Sequence, residues 1–207
     1  MRFVLGPPPD DPDFAPEPGG WKRVRVPSSW MLVLFGSLIG ILLCVATGMA
    51  WSLVPVKTEI PQLNLSGLGL KLPVIAVPFV ILLQFILFLA VLVVVHELLH
   101  AFAFPGFGRN KILGLWPQRL MPYADYHDAL PCWRFIVVAF APLACLSVVP
   151  LAIGLIVGSA ANLWMFVSVV NALASGGDVL LAAAVASQVP LGALVRNKAW
   201  DTWWHPG

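Results

Sequence analysis

Val91-Leu92-Val93-Val94-Val95-His96-Glu97-Leu98-Leu99-His100 lies near the end of an apolar stretch over residues 73–104, and its reading decides what fold this chain can have. About 20 apolar residues suffice for a helix to cross the ~30 Å hydrocarbon of a bilayer. The stretch is therefore read as a spanning helix with two imidazoles and a carboxylate set into it. Ionisable groups at that depth cost several kcal/mol unless something neutralises them. The spacing needs a chemical reason.

Three further apolar stretches lie around it, at residues 30–54, 134–158 and 162–188. The composition agrees: 59% hydrophobic, 11% charged and a mean hydropathy of +0.89, well outside the range of soluble domains. In 207 residues, four spans of ~20 residues with short connections fill most of the chain. The expected fold is an all-α membrane protein of about four transmembrane helices, with a short cytoplasmic loop or hairpin between the second and third. Residues 27–189 form the expected membrane domain. Residues 1–26, rich in proline and acid, are expected to be disordered, and residues 190–207 to be an interfacial tail in which Trp200, Trp203 and Trp204 suit a membrane–water belt. The first residues lack the basic start and apolar core of a signal peptide. The run after Lys22, Arg23 and Arg25 is read as a retained first helix.

Ten of the twelve basic residues fall before the first stretch, between the second and third, or after the fourth; only Lys57 and Lys71 fall on the other side. The positive-inside rule places both termini and the middle loop in the cytoplasm, giving a multi-pass membrane protein. Its formal net charge of +2, with basic residues flanking apolar segments and forming no patch, implies lipid around the chain and no nucleic-acid partner. Cys44, Cys132 and Cys145 show no metal or redox spacing and are expected to be small buried side chains.

In a helix, His96 and His100 project from one face, and Glu97 flanks them within reach of a water on a shared ion. Two imidazoles suit zinc, and the glutamate suits a general base. The third ligand chosen is Asp178, the only other acid at that depth, which leaves a fourth position open. The topology allows it: the second and fourth spans run in the same direction and both groups come late in their stretches. Asn171 lies seven residues before Asp178 and is expected to hold an extended peptide, or to stabilise an oxyanion if Ser175-Gly176-Gly177 unwinds. Ser175 is a candidate partner of the Asp178 carboxylate. The paired glycines serve either close approach of substrate or tight helix packing. Gly36 and Gly40 form a small-xxx-small pair on the first span. His127 is read as a solvated loop residue, and His205 receives no role.

Prolines and glycines between 105 and 131 exclude a long helix there. Two extended pieces are expected, at 111–116 and 120–126, forming a hairpin that is either a plain amphipathic connection or an edge to which a substrate can add as a strand. Leu63, Leu65, Leu68, Leu70 and Leu72 nearly alternate, suggesting a short strand or interfacial segment.

The ordered set His96-Glu97-Leu98-Leu99-His100, Met121-Pro122-Tyr123-Ala124, Ala141-Pro142-Leu143, Asn171 through Asp178, and Pro190 through Arg196 resembles the putative zincin peptidase family of small bacterial membrane proteins. That family is in turn similar to the site-2 proteases, intramembrane zinc enzymes that cut membrane-anchored substrates near the cytoplasmic face. The resemblance implies His96, His100 and Asp178 as zinc ligands, Glu97 as general base, Asn171 as the asparagine that precedes the aspartate, and the bacterial inner membrane as location. In site-2 proteases a glycine usually follows the aspartate, whereas here two precede it. An intramembrane zinc endopeptidase is the expected function. A metal-binding scaffold or regulator is the alternative from another class, and a metal or proton transporter is disfavoured because few polar residues continue through the bilayer.

Overall fold

The computed structural model describes residues 1–57, 77–106, 111–119 and 121–207. Apolar length generates the helices α1 (Ser29–Trp51) and α2 (Val77–Ala103). Next comes α3 (Cys132–Leu143), which passes through a π-helical turn at Ala144–Val148 into α4 (Val149–Val157). The last pair is α5 (Asn162–Ala174) and α6 (Gly176–Gln188). Among the described residues, three helical stretches are long and apolar enough to cross a membrane, at Trp30–Trp51, Pro78–Ala103 and Cys132–Val157; α5 and α6 make a fourth if taken as one span bent by 48°. That bend has a local cause. Ser175 turns its hydroxyl back onto the Asn171 carbonyl, and Gly176-Gly177, which follow at once, favour a helix less than any residue except proline.

Helix α1 packs against both α5 and α6, and Gly36 and Gly40 make that possible. A Cβ on Gly40 would stand 2.3 Å from the Leu173 carbonyl oxygen, and one on Gly176 would stand 2.1 Å from the Gly36 oxygen. Backbone meets backbone here, so no side-chain rotation relieves a larger residue. Of the two uses foreseen for the paired glycines, Gly176 serves packing. Gly177 has open space beyond its α-carbon.

The connections and chain ends pair into strands, so the all-α expectation is corrected. Strand β1 (Arg2–Leu5) lies parallel to β4 (Lys111–Trp116), which pairs antiparallel with β5 (Met121–Tyr126) in the order β1-β4-β5. A second sheet runs β2 (Lys22–Arg23), β9 (Asp201–His205), β8 (Leu194–Lys198), β6 (Leu130–Pro131). A two-residue pairing joins β3 (Val56–Lys57) to β7 (Ala160–Ala161). Outside the helices each backbone N–H and C=O still needs a partner, and strand pairing supplies it.

Residues 1–26, expected to be disordered, carry β1 and β2 and are tied to the tail. Arg196 pairs with Asp11 at 2.6 Å and lies over the Phe14 ring, and Lys198 donates to the Phe14 carbonyl. Phe14 and Val24 are buried, Val24 in a cluster with Phe135, Val185 and Val195. A few apolar anchors and opposite charges thus order a segment rich in proline and acid. Of the cysteines, Cys132 is buried, Cys44 half-buried and Cys145 exposed, against the expectation of three buried side chains. The alternating leucines at 63–72 lie outside the described residues, as do Lys71 and residues 73–76 of the second apolar stretch.

Candidate metal centre

The helical period of α2 places His96 and His100 one turn apart, and both are buried. Their rings meet edge to face with centroids 5.0 Å apart. The end of α2, one turn further on, is held by two cations. Arg134 donates to the Ala103 carbonyl at 2.7 Å, and Lys111 to the Phe104 carbonyl at 2.9 Å, satisfying carbonyls a helix terminus leaves open. Lys111 is buried, which lowers its ammonium pKa, and nearby Arg134 lowers it further.

Asp178 enters from the first turn of α6, just past the bend. Its Oδ2 lies 3.1 Å from His96 Nε2 and 3.4 Å from His100 Nε2. Among the described residues, His96, His100 and Asp178 are the group whose donor atoms converge, all within 4.8 Å of one another. Glu97 is not one of them. It faces the same cavity of about 300 Å³, which is also lined by Tyr123, Ala124, Phe135, Val138 and Leu181.

The hydrogen bonds at the far side of each ring fix which nitrogen carries the proton. His100 Nδ1 lies 2.8 Å from the Val138 carbonyl, which can only accept, so Nδ1 is the protonated atom. For His96 the partner is Asn171 Oδ1 at 2.9 Å. The amide orientation follows from its other end, where Nδ2 donates to the Pro142 carbonyl at 3.0 Å and to Ser147 Oγ at 2.9 Å. His96 Nδ1 therefore also donates. In its neutral form each ring would turn an Nε2 lone pair toward Asp178. Two lone pairs and a carboxylate oxygen repel one another unless a cation lies among them, and a single proton can join only two of the three.

The donor set fits zinc. With zinc–ligand distances of about 2.0–2.2 Å, tetrahedral donors stand about 3.3–3.6 Å apart, close to the separations of 3.1 and 3.4 Å here. Two histidines and one carboxylate leave a fourth position for water or substrate, and both histidines have the second hydrogen bond that usually orients a ligating imidazole.

A family model described as putative zincin peptidase matches residues 89–194. The chain belongs to that family. Zincin membership implies zinc and a metallopeptidase, and the matched range contains His96, Glu97, His100, β4, β5, α3 to α6 and Asp178. No curated protein and no solved structure matches the chain.

Several residues stand elsewhere than the sequence suggested. Asn171 is fully buried with its three side-chain contacts spent on His96, Pro142 and Ser147. It does not line the cavity but positions His96, so the peptide-holding or oxyanion role expected for it has no geometric basis here. Ser175 donates to the Asn171 carbonyl and not to Asp178. His127 lies 3.9 Å from Asp125, and the His205 ring rests on Trp21; neither is in the converging group. The strand at Lys111–Trp116 has the expected limits. Its partner brings residues that sequence reasoning missed: the Ala124 backbone amide faces the Glu97 carboxylate, and the Tyr123 ring lies directly over Gly114, where a Cβ would be 2.0 Å from the ring. Tyr123 donates to the Gly6 carbonyl; burial and the nearby Asp125 raise its pKa, so the phenol stays neutral. The signal for these contacts was Pro122, which has no N–H. A strand tolerates proline where that position faces away from its partner, and two residues on, Ala124 presents its polar groups to the same open edge.

Proposed function

We propose that this chain is an intramembrane zinc endopeptidase, similar to the site-2 proteases, that hydrolyses membrane-anchored proteins or peptides near the cytoplasmic face of the cell membrane. The observation that carries the reading is the convergence of His96 Nε2, His100 Nε2 and Asp178 Oδ2, with Glu97 beside them on the wall of one cavity. His96, His100 and Asp178 would hold the metal. Zinc bound there supplies a Lewis acid that acidifies water and polarises a carbonyl.

In this reading Glu97 takes the proton of the attacking water and returns it to the leaving amine, typically worth 10²–10⁴-fold in rate. The Ala124 amide that faces it keeps the carboxylate oriented toward the cavity. Peptide backbone in lipid is normally helical and must unwind to be cut. The open edge of β5, past Pro122 and Ala124, offers such a peptide main-chain partners as an added strand. The distribution of basic residues supports cytoplasmic termini, with residues 27–189 as the catalytic membrane domain and the two ends folded together over the cytoplasmic opening.

The test is zinc analysis and cleavage of a membrane-anchored peptide library by the purified full chain, by Glu97→Gln and by Asp178→Ala. The expected result is about one zinc per wild-type chain, zinc retained with cleavage lost in Glu97→Gln, and both lost in Asp178→Ala. A zinc-loaded wild type that cuts nothing, with Glu97→Gln indistinguishable from it, would favour a scaffold. Altered ion flux in Glu97→Gln would favour a transporter.

A further inference from the structure

Helix α3 breaks regularity where it passes the two histidines. Pro142 lies inside it, and the chain then makes the π-helical turn at Ala144–Val148 before resuming as α4. In an unbroken α-helix the Val138 carbonyl would accept from the N–H of residue 142. Proline has none. That same oxygen accepts from His100 Nδ1 at 2.8 Å. The carbonyl of Pro142 itself accepts from Asn171 Nδ2.

The π turn supplies the rest. Ser147 and Ser168 exchange hydrogen bonds, each hydroxyl donating to the other's carbonyl at 2.8 Å, and both are buried. Because the Ser147 hydrogen is spent on the Ser168 carbonyl, its oxygen faces Asn171 as an acceptor. It receives Nδ2, which leaves Oδ1 as the end presented to His96. A helix-breaking residue and two hydroxyls deep in apolar surroundings thus have one destination each: the Nδ1 atom of a metal-site histidine.

We propose that the irregular stretch Pro142–Val148, with Ser147 locked to Ser168, is the element that sets the tautomer of both histidines and so holds their Nε2 lone pairs toward Asp178. Pro142, Ser147 and Ser168 are positioning residues acting through Val138 and Asn171. The inference rests on the metal reading above, and it predicts a counterintuitive result. Pro142→Ala restores a regular helix, giving Val138 a main-chain donor that competes with His100, and yet it weakens the site.

The experiment uses the full chain in detergent or nanodiscs. The first measurement is ¹⁵N NMR of the imidazoles without metal, at a pH where they are neutral; the second is zinc affinity by competition with a chelating dye. Wild type should show Nδ1–H on both histidines. Pro142→Ala should shift His100 to a tautomer mixture, Ser147→Ala and Ser168→Ala should do so for His96, and each should bind zinc about 10-fold or more weakly, the range seen when an outer hydrogen-bond partner is removed. Ser187→Ala, which removes an exposed hydroxyl bonded only within α6, is the control and should change neither. Should Pro142→Ala fail to fold, the serine variants decide alone. Folded variants with wild-type tautomers and zinc affinity would overturn the proposal while leaving the metal reading intact. A wild type whose rings carry Nδ1–H but hold no zinc would overturn the metal reading and keep the tautomer device.

Discussion

The two chain segments that meet at the site are built in opposite ways. Helix α2 is a continuous run of 27 residues and delivers two histidines by helical period alone. The segment that delivers Asp178 is broken, two helices of 13 residues each meeting at 48° around Ser175. A long imidazole can reach out from a straight helix, whereas an aspartate has a single methylene and its backbone must be brought close. The bend does this, and α1 fixes it by pressing Gly36 and Gly40 onto Leu173 and Gly176. One half of the site is thus written in side chains and the other in backbone.

Breaking the side-chain half should have the largest effect. His100→Ala removes one of three donors, and zinc content should fall from about one per chain to near zero, as read by atomic emission on the purified protein. Asn171→Ala keeps every donor but lets His96 rotate. Zinc affinity should drop about 10–100-fold, measured by dye competition, with the zinc content at saturation unchanged.

The backbone half can be broken without touching a ligand. Gly176→Ala drives a methyl into the Gly36 carbonyl, and destabilisation of about 1–3 kcal/mol is expected from such overpacking, read as a lower Tm together with weaker zinc binding. Gly48→Ala, on α1 and away from its contact with α5 and α6, sharpens the contrast. A Cβ there meets nothing within 4 Å, and the gain in helix propensity, up to about 1 kcal/mol, should leave zinc affinity unchanged and raise Tm slightly. Equal effects of the Gly176 and Gly48 variants would mean that the α1 contact does not position Asp178.

Most of the helical framework was legible because apolar length is a one-dimensional signal, and the pairing of His96 with His100 because helical period is. The convergence of Asp178 was legible from depth and direction of span. What escaped depends on contacts between segments distant in sequence. The ordering of residues 1–26 rests on single anchors such as Phe14 and Asp11, whose partners lie some 185 residues away. The role of Asn171 was misread because an unbroken helix would place it two turns from Asp178 on the same face, while only packing against α3 and the turn after it shows that its amide is spent on His96. Pro142 was seen as a motif without a reason; its reason is a carbonyl that it leaves unclaimed.

The most direct measurement of the central claim, one zinc shared by His96, His100 and Asp178, is X-ray absorption at the zinc edge of the loaded wild-type chain. The expected shell is four light donors at about 2.0–2.1 Å with outer-shell scattering from two imidazoles. A sulfur donor in that shell, or scattering from fewer than two imidazoles, would contradict it.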